Sequence, residues 1–203
     1  MQVQPQSWGI LSGEARGGRA VGGQATAWSS QRGFTIVELM ITVAVAAVLL
    51  MIAVPSFKSI TLSNRLNTAA NDLVNAISVA RMEAVKRNAS TQFCSNSASA
   101  NTSETLGSAC GTETGAVWAM RGGAASPVLA GAVSLAEPVR INGDVTALQF
   151  TAQGQARKAG TSSPFNDLVA DICTSQMSSD NHRRITMTAG SILATTTTSG
   201  DCP

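Results

Sequence analysis

The chain has 203 residues, enough for one ordinary domain and an appendage, with 44% apolar residues, only 13% charged residues and no tyrosine. Low charge with abundant Ala, Ser, Thr and Gly points to an extracytoplasmic protein rather than a cytosolic enzyme. The formal charge of +2 arises from Arg16, Arg19 and Arg32 against Glu14; from Phe34 onward eleven basic residues face eleven acidic ones, and such a neutral body exerts no general pull on nucleic acid.

Residues 1–33 are polar, rich in Gly, Ser and Arg, and free of hydrophobic periodicity. They are expected to form a disordered cytoplasmic leader. The leader is long for that purpose, and the sequence leaves the initiation codon open.

Next comes "QRGFTIVELMITVAVAAVLLMIAVPSFKS", Gln31 to Ser59. The 19 residues from Leu39 to Phe57 carry no formal charge, a length that spans a bilayer as a helix. Arginines precede the run and Lys58 follows it, which favours a cytoplasmic N-terminus. A secretory signal peptide would have a shorter apolar core and an A-x-A-like cleavage site, whereas here Pro55 follows a long run and the helical pattern continues. One carboxylate, Glu38, stands at the start of the run, where a charge is expensive and implies a task. Pro55 removes one helix hydrogen bond and is expected to bend the helix where membrane gives way to periplasm.

The continuation places Leu62, Leu66, Ala69, Leu73, Ile77, Ala80 and Ala84 at spacings of three and four, one apolar stripe on a helix. Asn64, Arg65, Asn67, Asn71, Asp72, Asn75, Arg81, Lys86 and Arg87 fall mostly off it. The joined helix is predicted from about Phe34 to Ala89, roughly 80 Å long. Its first half requires lipid or other subunits, and its second half a domain of its own.

From about Ser90 the chain reads as short strands: "STQFCS", "GAVWAM" around Trp118, "VTALQFTA" around Phe150, "LVADICT" before Cys173 and "RRITMTA" after His182. Polar stretches such as "SNSASANTSETLGSAC" and "RGGAASP" are expected to be loops. Hairpins and a meander would give an antiparallel sheet whose apolar face covers the helix stripe, so the predicted fold class is α+β.

Cys94, Cys110, Cys173 and Cys202 all follow the apolar run and form no C-x-x-C pair, so two disulfides in an oxidising compartment fit better than a zinc site. Three pairings are open, and proximity favours Cys94 with Cys110 and Cys173 with Cys202. No Walker loop, G-x-S-x-G or paired acidic motif is present, and no cofactor or metal is expected. His182, between Asn181 and Arg183 in what reads as a polar turn, is expected to be a surface or structural residue. Trp118 and Phe150 are expected in the core.

"RGFTIVELM" resembles the processing site of type IV pilins and type II secretion pseudopilins. The resemblance implies that a prepilin peptidase cuts after Gly33, that the new N-terminal Phe34 is methylated, and that Glu38 is the glutamate of the motif. In a filament the N-terminal helices pack into an apolar bundle, where a buried carboxylate needs a partner. The nearest cation would be the new amine of Phe34, its own or a neighbour's, and such a pairing sets axial register as single buried polar groups do in coiled coils. The plainer reading of Glu38 is a residue favoured by the helix macrodipole. In this family a proline at the place of Pro55 lets the helix bend or melt during packing.

"ARMEAVKRNASTQFC", Ala80 to Cys94, further resembles the helix-to-first-strand segment of GspH/FimT-type minor pilins and pseudopilins, as do "GAVWAM", "ALQFTAQGQ" and "DICTSQMSSDNHRRITMTAGSI". Within that segment Glu83 and Arg87 can pair at i,i+4. The resemblance implies a pilin fold, a long helix with a transmembrane first half (34–57) and a disulfide-bonded head (58–203). It also implies partners among other minor and major pilins, and a life in the inner membrane before the filament.

Three roles follow from it. The first is a minor pilin that helps to prime or cap a type IV pilus. The second is DNA uptake, which FimT-type relatives perform through a basic motif after the last strand glycine. Here that place reads "AGSILATTTTSGDC", with Ser191 and Leu193 where arginines would be wanted, leaving Arg183 and Arg184, with Arg157 and Lys158, as a weaker patch. Arg183 and Arg184 would point to opposite faces of a strand, and a solvated strand edge explains the cluster as well. The third is a type II secretion pseudopilin serving protein export.

Overall fold

Local chemistry sets the limits of the long helix. In the computed structural model, which describes residues 33–102, 104–131 and 137–203, helix α1 spans Ile36–Arg87. The expected leader, Gly33 apart, lies outside the described residues. Thr35 closes the N-terminus: its hydroxyl accepts from the Glu38 N–H at 3.2 Å and its carbonyl from the Leu39 N–H at 3.1 Å, the arrangement of an N-cap. At the other end Asn88 is left-handed (φ 49°). The N–H groups of Asn88 and Ala89 return to the carbonyls of Val85 and Ala84 at 3.3 and 3.1 Å. This is a Schellman ending with asparagine in the place usually taken by glycine. It stops the helix just before the predicted Ala89.

The chain divides into two units, Met1–Ala44 and Val45–Pro203. In the first, Gly33 to Thr35 are non-helical and α1 then begins with exposed apolar side chains, Phe34 at 81% exposure and Ile36 at 79%. In the second, α1 completes its course and the strands follow.

Those strands are β1 (Thr91–Phe93), β2 (Val117–Arg121), β3 (Ala124–Leu129), β4 (Arg140–Ile141), β5 (Leu148–Phe150), β6 (Ala156–Lys158), β7 (Asp167–Cys173), β8 (His182–Thr188) and β9 (Ile192–Thr198), with a short helix α2 (Thr105–Cys110) after β1. They make two antiparallel sheets, one in the order β3-β2-β1-β5-β6 and the other β4-β7-β8-β9. The α+β class is as predicted, but the single sheet expected becomes two.

Both sheets close on the predicted stripe. All seven stripe residues are buried, and the six from Leu66 to Ala84 share one core with Phe93, Val117 and Phe150 of the first sheet and Ile172, Ile185 and Met187 of the second. Alanines at positions 69, 76, 80 and 84 keep the helix surface low enough for strands to approach. The Thr91 hydroxyl, for example, donates to the Ala80 carbonyl at 2.7 Å.

The disulfides pair as proximity suggested: Cys94–Cys110 with Cα atoms 5.5 Å apart, and Cys173–Cys202 with Cα atoms 5.8 Å apart. Each closes a short loop, stabilising the fold by about 3–4 kcal/mol on the chain-entropy estimate. Trp118 is half-buried against the first of them, and Phe150 is fully buried in the main core. Part of the expected loop before Cys110 is helical, since α2 packs its Gly107 so closely on Asn101 that an added Cβ would lie 2.1 Å from the Asn101 carbonyl oxygen.

"RGGAASP" is not a loop. Gly122 and Gly123 both have positive φ (58° and 87°) and join β2 to β3 as a two-residue hairpin, the geometry that a type I′ turn requires. Pro127 is tolerated because β3 is an edge strand with no further neighbour to receive an N–H.

Candidate functional site

The Gly33–Phe34 peptide bond lies immediately before the Thr35 cap, and both of its residues are exposed. A Cβ added at Gly33 meets no atom within 4 Å. Thr35 and Glu38 stand three residues apart in the T-x-x-E pattern of a capping box, and the backbone half of that box is formed by the Glu38 N–H on the Thr35 hydroxyl. Glu38 therefore occupies the first turn of α1 with its carboxylate exposed, at the positive end of the helix dipole. This capping signal was present in the sequence and was not used in reading it.

Behind this turn α1 is long and apolar enough to cross a membrane: an 18-residue window has a mean hydropathy of 2.7, and none of that window is buried. The helix continues through position 55 without a break. A cut between Gly33 and Phe34 would leave the Thr35 cap intact and place a new ammonium four residues before Glu38.

The four basic residues singled out from the sequence do not form one surface. Arg157 and Lys158 belong to β6 of one sheet, Arg183 and Arg184 to β8 of the other. Arg184 and Lys158 are exposed, whereas Arg183 is only 5% exposed. The Arg183 guanidinium donates to Asn67 Oδ1 at 2.7 Å, Ser63 Oγ at 2.9 Å and the carbonyls of Asp180 and His182 at 2.8 and 3.0 Å. It ties β8 to α1 while the adjacent Arg184 is exposed, so the two arginines point to opposite faces of the strand as expected, and Arg183 is engaged within the fold. Replacing Arg183 with Ala is expected to destabilise the protein by about 2–3 kcal/mol, since several charge-assisted bonds are lost together. Arg184→Ala should stay within about 0.5 kcal/mol. Equal shifts in urea unfolding midpoint would overturn this division of roles.

His182 is not in a polar turn. It opens β8 opposite Cys173, is buried, and its Nδ1 lies 2.9 Å from Asp171 Oδ1. Asp171 in turn accepts from Asn142 Nδ2 at 3.1 Å. The register of β8 against β7 and the tether of Cys173 to Cys202 enclose this imidazole, in keeping with the structural half of the expectation.

Two family models match the chain. One, described as prokaryotic N-terminal methylation motif, covers residues 28–54 and so contains Gly33, Phe34 and Glu38. The other, described as type II transport protein GspH, covers residues 69–191, more than half of the chain. The chain belongs to the GspH family. It is a type IV pilin or pseudopilin of the GspH/FimT type. The GspH match runs from the middle of the buried stripe to the turn between β8 and β9, so the family's pattern is the helix–sheet core described above. No curated protein and no solved structure matches the chain. Pilin and pseudopilin families are structural rather than enzymatic, assemble with other pilins and, as the methylation motif implies, are processed by prepilin peptidase. The motif and the apolar helix fit a membrane-anchored pilin.

Proposed function

We propose that this GspH-family chain is a minor pilin of a type IV pilus that helps to prime or cap the filament. In this reading residues 1–33 are the cytoplasmic leader, 34–57 the transmembrane and assembly helix, and 58–203 the periplasmic head. The peptidase cuts after Gly33, Phe34 is methylated, and the subunit waits in the inner membrane, N-terminus inside, until it enters the filament. There Glu38 meets the Phe34 amine of a neighbouring subunit, and the helix bends at Pro55 as it packs.

One observation carries the reading. An exposed Gly–Phe bond directly precedes a threonine-capped helix that holds a single carboxylate in its first turn and no other charge until Lys58. A carboxylate spent only on the helix dipole would suit any helix. One placed four residues from a bond whose cleavage creates an ammonium has a cation supplied to it, and in an apolar bundle that pairing aligns subunits as well as neutralising charge.

The family's description as type II transport protein GspH favours a second reading as a pseudopilin for protein export. A clean deletion separates the two. The pilus reading expects loss of surface pili and twitching with export intact. Intact pili with loss of an exported enzyme would transfer the chain to the secretion machine.

A further inference from the structure

Arg81, on α1, and Arg157, on β6, line a cleft bounded by the β5–β6 turn and the β8–β9 turn, with Thr151, Gln153, Gln155 and Ser191 around them. The described lining contains no carboxylate. Arg81 spends one nitrogen, donating from Nη1 to the Ser191 carbonyl at 2.9 Å. Arg157 Nε is buried without a hydrogen-bond partner. Among the described residues neither arginine has an acidic partner. The acid closest to Arg81 in sequence, Glu83, accepts instead from Arg87 and Lys86, which hold its carboxyl below the usual carboxylate range.

A buried guanidinium nitrogen left unpaired calls for an explanation, because the desolvation of a charged donor is otherwise uncompensated. Two planar forks lining one cleft together with hydroxyl and amide side chains match a compact, planar anion. A nucleic acid strand instead wants a row of cations along its backbone. Lys158, the next residue along β6, is not among the lining residues, and Arg183 and Arg184 lie in the other sheet. The body is electrically neutral overall.

We propose that the Arg81–Arg157 cleft is a docking site for a carboxylate side chain presented by a neighbouring pilin subunit. The subunit as occupant rests on the pilin reading above, while the anion site itself stands on the geometry of this chain.

The test has two arms. The full-length chain in detergent micelles is titrated with N-acetylglutamate, following the arginine Nε–H signals by NMR. The expected result is a saturable shift of the Arg81 and Arg157 signals, with affinity weakened about tenfold or more in Arg81→Gln and Arg157→Gln, the loss expected for one charge-assisted pair. Arg184→Gln should leave it unchanged. Arg157→Lys keeps the charge and much of the stem but loses the fork, so weaker binding by this variant reports the site without removing a core group. No saturable shift, or a shift unaltered by both Arg157 variants, overturns the site. Tighter binding of a single-stranded oligothymidylate through the same two arginines would overturn the carboxylate assignment and give the cleft to nucleic acid.

In cells, Arg157→Glu should still be cut after Gly33 but enter filaments at less than about a tenth of the normal level. Incorporation at the normal level overturns the subunit contact. The titration does not depend on filaments, so failure of the pilus reading would show in the deletion phenotype and failure of the site in the titration.

Discussion

Replacing Gly33 with alanine is expected to leave the full-length chain uncut in the membrane fraction, longer by the proposed leader than the wild-type product. Glycine at this position makes no structural demand that alanine would violate: an added Cβ meets no atom within 4 Å, and the residue lies outside the helix. The stability of the head should therefore change by less than about 0.5 kcal/mol, as for a surface substitution. Loss of processing with an unchanged unfolding transition would locate the effect at the cleavage step rather than in the fold. Immunoblotting of membranes measures the cut, and urea unfolding measures the head. Normal cleavage of Gly33→Ala would sink the processing-site reading, and with it the origin of the cation proposed for Glu38.

Leu73→Ala is expected to cost about 2–5 kcal/mol, the largest stability effect among single apolar truncations on the helix. Leu73 is fully buried at the centre of the stripe, in the core shared by both sheets. Its removal opens a cavity that the strands cannot close without giving up their register. Met82, 60% exposed on the same helix, is the control, and Met82→Ala should stay within about 0.5 kcal/mol. The measurement is the midpoint of urea unfolding of the detergent-solubilised chain. Equal midpoints for the two variants would mean that the stripe does not form the joint between helix and sheets.

The same comparison shows why some of the fold was readable in advance. The stripe announced itself because one helix face repeats every three or four residues, and burial follows that face whatever covers it. The strands around Phe93, Trp118, Phe150, Ile172 and Ile185 were readable from apolar and β-branched runs. Strands β3, β4, β6 and β9 were missed, β4 and β6 being only two and three residues long, and β3 and β9 for opposite reasons. The first carries a proline and follows two glycines, which suggest a loop until the positive φ of both glycines makes them a hairpin turn. The second, "ILATTTT", is exposed over most of its length and offers little apolar signal, so its pairing with β8 is decided by backbone hydrogen bonding rather than by burial.

Among the functional residues the division is sharper. The pattern of Gly33, Phe34 and Glu38 was legible because it is a local motif set by short spacing, and the methylation-motif match over residues 28–54 contains it. Thr35 belonged to the same segment and was recognisable as the start of a capping box. The basic residues were not legible in this way. Arg183 and Arg184 are adjacent and chemically identical, yet one is bonded to Asn67 and Ser63 across the core boundary and the other faces solvent. Arg81 and Arg157, far apart in sequence, come to line one cleft.

From its sequence alone this protein is a chain with a methylation-motif start, an uncharged helix bearing one carboxylate, an amphipathic continuation and a disulfide-bonded β head, because each of these depends on composition, period or short spacing. Only the tertiary structure decided that the head has two sheets, which arginine is structural, and which two arginines line one cleft with no acidic partner among the described residues. Those outcomes depend on strand register and on contacts between residues more than a hundred positions apart, Arg183 with Ser63 and Asn67 and Arg81 with Ser191; a one-residue slip in register would send Arg157, Arg183 and Arg184 to the opposite faces of their strands.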